Sequence, residues 1–292
     1  MRISPVVGLI ATAVLVASAP TADARSNWPQ PAAGPSASGD PEVIFTFDDG
    51  PHEDDTAAIL DTLAAHHVHA IFFWTAWRVL GNRPIHERRK AAMERAIREG
   101  HMVGNHTVHH AHLCRVPEAD AAREIDENAE VFGRLTGLPM QLIRVPYGDR
   151  CKRVEGMLEA RGLHHLHWDM DPLEWEPTAS AASTRDYLIG KLTHLKGRAV
   201  ILMHDTKWDT MKALPQVLDW LEAENERRHV EGERPIRILS FADLAREQVP
   251  APIRDLVDGA TEAALAFAPD IASTLLLPLA GGAPPTRHAS NP

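Results

Sequence analysis

The 292-residue chain carries 40 acidic and 30 basic side chains, a formal charge of −10, with 17 histidines and only 2 cysteines. That balance argues against nucleic acid or an anionic membrane surface as the main partner, because counterion release needs clustered Lys and Arg. With 44% apolar and 24% charged residues the chain reads as globular, and two cysteines exclude a disulfide-dense scaffold and a four-cysteine zinc site.

Residues 1–24 read as a signal peptide. Arg2 gives a short positive start, residues 6–19 are apolar, and Ala22-Asp23-Ala24 supplies the small-x-small pattern that a signal peptidase cuts. Export to the periplasm or medium is the expectation; an uncleaved anchor is the alternative, for which the stretch is slightly short. Residues 25–40, with Pro29, Pro31, Gly34 and Pro35, read as a flexible linker. The folded domain then runs over 41–248, followed by a Pro/Ala-rich tail, 249–292. No stable membrane span is expected, since the apolar stretch 263–283 is broken by Pro269, Asp270 and Pro278.

Within the domain, short apolar runs at 42–47, 69–74, 101–105, 141–144, 163–168, 199–203 and 236–240 read as strands. Between them lie helical patterns. Leu214, Val217, Leu218 and Leu221 repeat at i, i+3, i+4, i+7, and Ala121, Ile125, Ala129 and Phe132 nearly do. Seven strands alternating with helices imply a parallel α/β sheet with right-handed crossovers. A closed or nearly closed (β/α) barrel is the first choice and an open doubly wound sheet the second. The barrel choice matters because function in such folds gathers at the carboxyl ends of the strands.

The first strand ends in Thr46-Phe47-Asp48-Asp49-Gly50-Pro51. Adjacent carboxylates there point different ways, so one is free to bind a cation while the other acts as a base; Asp-Gly-Pro is also ordinary turn chemistry. The third leads into Asn105-His106-Thr107-Val108-His109-His110-Ala111-His112. His106 and His110 are four apart, which on a helical turn places both imidazoles on one side. With Asp49 they would make a 2-His-1-carboxylate set with an open position, as a catalytic divalent metal requires. His109 and His112 read as structural or solvent-facing. The fourth supplies Arg144-Val145-Pro146-Tyr147-Gly148, the fifth leads to Asp171-Pro172-Leu173-Glu174-Trp175, and the sixth ends in Leu202-Met203-His204-Asp205.

The ordered motifs TFDDGP, NHTxxHxxL, RxPYG, DxxEW and LMHD, spanning residues 46–205, resemble those of the NodB-homology polysaccharide deacetylases, carbohydrate esterase family four. The resemblance implies a distorted (β/α)7 barrel and metal-dependent removal of acetyl groups from sugars. It implies a divalent cation, Zn²⁺ or else Co²⁺ or Ni²⁺, held by Asp49, His106 and His110. Asp48 would be the general base, oriented by Arg144; the main-chain N–H of Tyr147 would donate to the oxyanion; His204 would protonate the leaving group. Leu202 and Trp175 would line the acetyl pocket, with Pro146 beside it. One departure stands out. The family usually has a second Asp before the motif Trp, where this chain has Glu174, which would orient His204 unless Asp171 takes over.

Trp208 and Trp77 are candidate sugar platforms, although Trp77 reads rather as core. His164, His165 and His167 are expected to face solvent or neighbouring helices. Cys114 and Cys151, each just past a motif loop, are placed to bridge in an oxidising compartment; the alternative is two buried thiols. The leading reading is an N-deacetylase of peptidoglycan, a chitin-like chain or a poly-N-acetylglucosamine glycan. An O-acetyl xylan esterase with the same machinery is the rival, and a non-catalytic glycan-binding protein the third. The acidic balance suits an uncharged acetylated glycan better than a polyanion.

Overall fold

The computed structural model describes residues 39–247. The chain divides into two compact units, Met1–Ala245 and Arg246–Pro292; the fold described is that of the first. The expected signal peptide, the expected tail and nearly all of the expected linker lie outside the described residues. Among these, no helix is long and apolar enough to cross a membrane.

Among the described residues there are seven parallel strands: β1 (Glu42–Asp48), β2 (Ile71–Trp74), β3 (Met102–Asn105), β4 (Leu142–Ile143), β5 (His164–His165), β6 (Arg198–His204) and β7 (Arg237–Ile238). The helices between and after them are α1 (Asp55–Ala65), α2 (Pro84–Arg98), α3 (Glu118–Thr136), α4 (Lys152–Ala160), α5 (Ala181–Thr193), α6 (Trp208–Glu231) and α7 (Phe241–Glu247). The sheet order is β5-β4-β3-β2-β1-β6, and β7 pairs only with Glu42 and Val43 of β1. Thr46 to Asp48 of β1 pair instead with β2. The ring closes where the chain beyond β5 meets β6: Met170 bridges Ile201, with Asp169 N–H donating to Val200 O and Leu202 N–H to Met170 O. That closure makes the sheet a distorted α/β barrel rather than an open doubly wound sheet.

β4 and β5 are shorter than the apolar runs that encode them. The Arg144 side chain takes the carbonyls that would extend the ladder, Nε donating to Leu166 O at 2.9 Å and Nη2 to His167 O at 3.3 Å. β1, by contrast, runs one residue further than its apolar pattern and ends on Asp48.

The period-2 alternation of a strand sorts β1. Val43, Phe45 and Phe47 pack in the large cluster with α1 and α6, where Leu214, Val217, Leu218 and Leu221 are all buried. Ile44 packs inward with Ile71, Phe73 and Val200, so Thr46 and Asp48 follow it on the inner face. Burying such Phe or Leu side chains stabilises by about 1.5–3 kcal/mol each. In α3 the pattern is refined: Ala129 is only half-buried and the inward position is taken by Asn128. Cys114 and Cys151 form the disulfide that was one of two expectations, with Cα atoms 6.1 Å apart, tying the loop after β3 to the start of α4.

Candidate active site

The strand ends bring the motif residues together at one mouth of the barrel. Asp48, the last residue of β1, accepts from Arg144 Nη1 at 2.8 Å. Arg144 is fully buried, stacks over Phe73 at 4.4 Å, and also donates to Thr46 Oγ1 at 2.7 Å. Asp49 follows in the left-handed region, φ 73°. That turn sends its carboxylate away from its neighbour's, as two roles for adjacent acids require. The turn sits on Asp205, whose main-chain N–H donates to Asp48 O at 3.3 Å. Only glycine fits at position 50, because a Cβ there would overlap the Asp205 carboxylate.

His106 leaves β3 with its main-chain N–H on Trp74 O, and its Nδ1 lies 2.7 Å from Arg144 O. A carbonyl accepts only, so Nδ1 carries the hydrogen and Nε2 presents a lone pair. That Nε2 lies 3.5 Å from Asp49 Oδ1, and His110 Nε2 lies 3.3 Å from the same oxygen. The helical turn expected between the two histidines is absent. The segment is irregular, with Thr107 at φ 64° and His110 at φ 59°, and this path sets the rings 4.8 Å apart. It is pinned from below: Asn105 Oδ1 accepts from Thr107 N–H at 2.8 Å, and Asn128 Nδ2 donates to Thr107 O at 2.6 Å and Trp74 O at 2.9 Å. A polar residue inside α3 therefore holds the histidine loop.

This trio fits a cation. Asp49 Oδ1 is buried and accepts no hydrogen bond, although two imidazole nitrogens face it. Tetrahedral ligands at zinc-like bond lengths stand about 3.4 Å apart, close to the separations of Asp49 Oδ1 from the two nitrogens. Burial pushes the His110 imidazole down to about 4, with His106 beside it adding to the effect, so it is neutral at pH 7 as a ligand must be. Burial works against the Asp49 carboxylate, but its contact with His106 and the nearby His204 and His110 outweigh this and hold it well below the usual range.

Across the mouth, His204 ends β6 with Nδ1 2.8 Å from Glu174 Oε1. Glu174 is buried, and Thr210 Oγ1 donates to the same oxygen at 3.3 Å. Burial alone would depress the imidazole. The Glu174 bond and charge, with Asp49 and Asp48, overcome it and raise His204 to about 9. Asp171 does not take over this partnership; its Oδ1 accepts from Leu173 N–H at 2.9 Å.

A hollow of about 370 Å³ opens between the two halves, lined by Asp48, Asp49, His106, His110, Tyr147, Asp171, Trp175, Leu202, His204 and Lys207 among others. Leu202 is buried and Trp175 half-exposed, as an apolar wall with an open rim. Tyr147 is at φ 62°, and its exposed ring stacks on His112 with centroids 3.6 Å apart. Two expected lining residues are displaced. Pro146 is buried behind the turn it starts, and Trp208, at the first position of α6, is 61% exposed with Lys212 Nζ 4.3 Å over its ring. Neither lines the hollow.

Trp77 is not core: it is 43% exposed, with the Arg78 and Arg89 guanidinium groups over its ring at 4.8 and 5.8 Å. His165 is more enclosed than expected, with both ring nitrogens buried and burial pushing it down to about 3. Composition does not reveal Asp205, which accepts from Thr56 Oγ1 at 2.5 Å and Trp74 Nε1 at 2.9 Å; its place directly after His204 was the available signal.

The family model for polysaccharide deacetylase matches residues 36–166. The chain is 31% identical over 207 residues to a peptidoglycan-N-acetylglucosamine deacetylase of Bacillus cereus, covering 71% of this chain and 70% of that one. It is 30% identical over 190 residues to the Listeria monocytogenes peptidoglycan-N-acetylglucosamine deacetylase PgdA, covering 65% of this chain but only 38% of that longer protein. Among solved structures it is similar to a family 4 carbohydrate esterase from Streptomyces lividans in complex with acetate, with a TM-score of 0.54 and 26% identity, covering 63% of this chain and 88% of that one.

Proposed function

The chain belongs to the polysaccharide deacetylase family, and from that premise we propose that it is an exported, metal-dependent hydrolase that removes N-acetyl groups from an amino-sugar glycan such as peptidoglycan, a chitin-like chain or poly-N-acetylglucosamine. The observation that carries this reading is the buried Asp49 Oδ1, faced by two imidazole nitrogens and no hydrogen-bond donor, between a base on one side and an acid on the other.

Asp49, His106 and His110 would hold the cation, with Zn²⁺ the first choice and Co²⁺ or Ni²⁺ the alternatives. Bound there, it supplies Lewis acidity, lowering the pKa of a water and favouring an oxyanion. Asp48 takes the proton from the attacking water, and Arg144 keeps that carboxylate oriented through the 2.8 Å bond. The Tyr147 main-chain N–H donates to the oxyanion, a contact of the kind worth about 3 kcal/mol in comparable sites. His204, held as an imidazolium by Glu174, gives its proton to the departing nitrogen, without which an amine is a poor leaving group. Leu202 and Trp175 receive the acetyl methyl.

A screen of acetate release across peptidoglycan, chitin oligomers and acetylxylan, with added Zn²⁺, Co²⁺ or Ni²⁺, tests the reading. Release from an N-acetylated glycan supports it. Release from acetylxylan alone would make the chain an O-acetyl esterase, and no release from any substrate would overturn the assignment.

A further inference from the structure

A second hollow, of about 350 Å³, adjoins the first and shares Asp49 and His110 with it as a common wall. Its other side is formed by Thr75, Trp77, Arg78 and His109, none of which has a part in the hydrolysis above. Trp77 and Arg78 lie in the short turn of residues 76–78 just after β2, and the guanidinium lies against the tryptophan ring.

Arg78 is set apart from the other cations around it. Arg89 beside it is spoken for, its Nε donating to Glu53 Oε2 at 2.8 Å and its Nη1 to Arg78 O at 3.3 Å. Arg78 Nε is buried with no acceptor, and among the described residues no carboxylate forms an ion pair with its guanidinium. The neighbouring carboxylates make no hydrogen bond to it: Asp205 accepts from Thr56 and Trp74 through Oδ2, while its Oδ1 and Asp49 Oδ1 are buried without a hydrogen-bond partner. His109 is bound by Glu124. A buried donor left without an acceptor is unfavourable, and a guanidinium fork matches a carboxylate in shape and charge. The Trp77 indole keeps 43% of its surface exposed, and such an aromatic surface suits the C–H face of a pyranose.

We propose that this hollow is a subsite for the sugar next to the one being deacetylated, that Trp77 is its stacking platform, and that Arg78 recognises a carboxylate carried by that sugar. The inference rests on the deacetylase reading and narrows it, from acetylated glycans in general to those in which an acidic sugar adjoins the N-acetylated one. It also qualifies the chain's overall charge of −10. The bulk surface still disfavours a polyanion, while one cation beside the reaction centre reads one acidic group locally.

Binding separates this proposal from turnover. Affinities are measured calorimetrically in the Asp48→Asn background for three short oligosaccharides. One is neutral poly-N-acetylglucosamine, one alternates N-acetylglucosamine with a uronic acid, and one alternates it with a sugar bearing a lactyl-ether carboxylate. At least one acidic ligand is expected to bind about tenfold tighter than the neutral one, the lower end of what a charge-assisted pair supplies. Added Arg78→Gln should erase that ratio, Arg78→Lys should retain part of it, and Trp77→Ala should weaken all three ligands alike. Which acidic oligosaccharide shows the preference distinguishes the two sources of the carboxylate. Equal affinity for all three ligands, or a preference that survives Arg78→Gln, overturns the subsite. Acetate release by the parent protein from the neutral oligomer tests the deacetylase reading independently.

Discussion

Glu174 Oε1 and His204 Nδ1 lie 2.8 Å apart in a buried pair that joins the loop after β5 to the end of β6. The longer side chain is accommodated by its position. Thr210, in the first turn of α6, donates to the same oxygen, so Glu174 is fixed from two sides and its extra methylene does not prevent the contact that the family's usual Asp would make.

On the proposed mechanism that pair should set the alkaline limit of activity. His204 is raised from an ordinary 6.5 to about 9, so the imidazolium is present through neutral pH and is lost as pH rises through about 9. The pairing also contributes stability that is full below 6.5 and disappears over the same interval up to about 9. In Glu174→Gln the alkaline limb of kcat/KM should move down toward 6.5. A limb that stays in place, followed over pH 5 to 10, would separate Glu174 from the acid role of His204.

As the proposed acid, His204 should matter most where the leaving group needs a proton. His204→Ala is expected to lower acetate release from an N-acetyl sugar by about 10²–10⁴-fold, and release from an activated aryl acetate far less, because a phenolate departs unprotonated. Equal losses on the two substrates would count against a proton-donor role.

Arg144 is a buried charge whose loss is felt twice. Arg144→Ala leaves Asp48 buried without its cation and frees the carbonyls of Leu166 and His167, which should destabilise the fold by about 3–5 kcal/mol in urea unfolding. Arg144→Lys keeps the charge but not the fork. It should recover part of the stability and little of the activity, whereas full activity in that variant would show that orientation of Asp48 is unimportant.

Asn128 touches none of the three proposed ligands, yet it holds Thr107 O and Trp74 O beneath them. Asn128→Ala should weaken cation binding about 10–100-fold, in the manner of lost outer-shell support, measured by competition with a chromophoric chelator. Unchanged affinity would show that the disulfide-tied loop keeps its shape without this bond.

Much of this was legible in the sequence because strand ends are marked by the change from apolar runs to polar motifs. All seven strands lie within, or one residue beyond, their apolar runs except β6, which also gains Arg198 and His204 at its ends. Of 17 histidines only His106, His110 and His204 enter the proposed chemistry, so the excess itself was a poor guide. Periodicity could not reveal that Asn128 replaces Ala129 on the buried face of α3, since a polar residue is inward only where backbone acceptors wait for it. The His106 to His110 spacing suggested a helix because local pattern does not report left-handed residues such as Thr107. Trp77 read as core because hydrophobicity cannot distinguish an indole that is packed from one held at the surface by two arginines.

The central claim is that Asp49, His106 and His110 hold one cation on which hydrolysis depends. Protein stripped with chelator and titrated with Zn²⁺ should release no acetate from an N-acetylglucosamine oligomer at first, then recover activity in proportion to metal until one equivalent is bound, and His110→Ala should abolish that recovery. Full activity in stripped protein, or recovery unaffected by His110→Ala, would contradict the account.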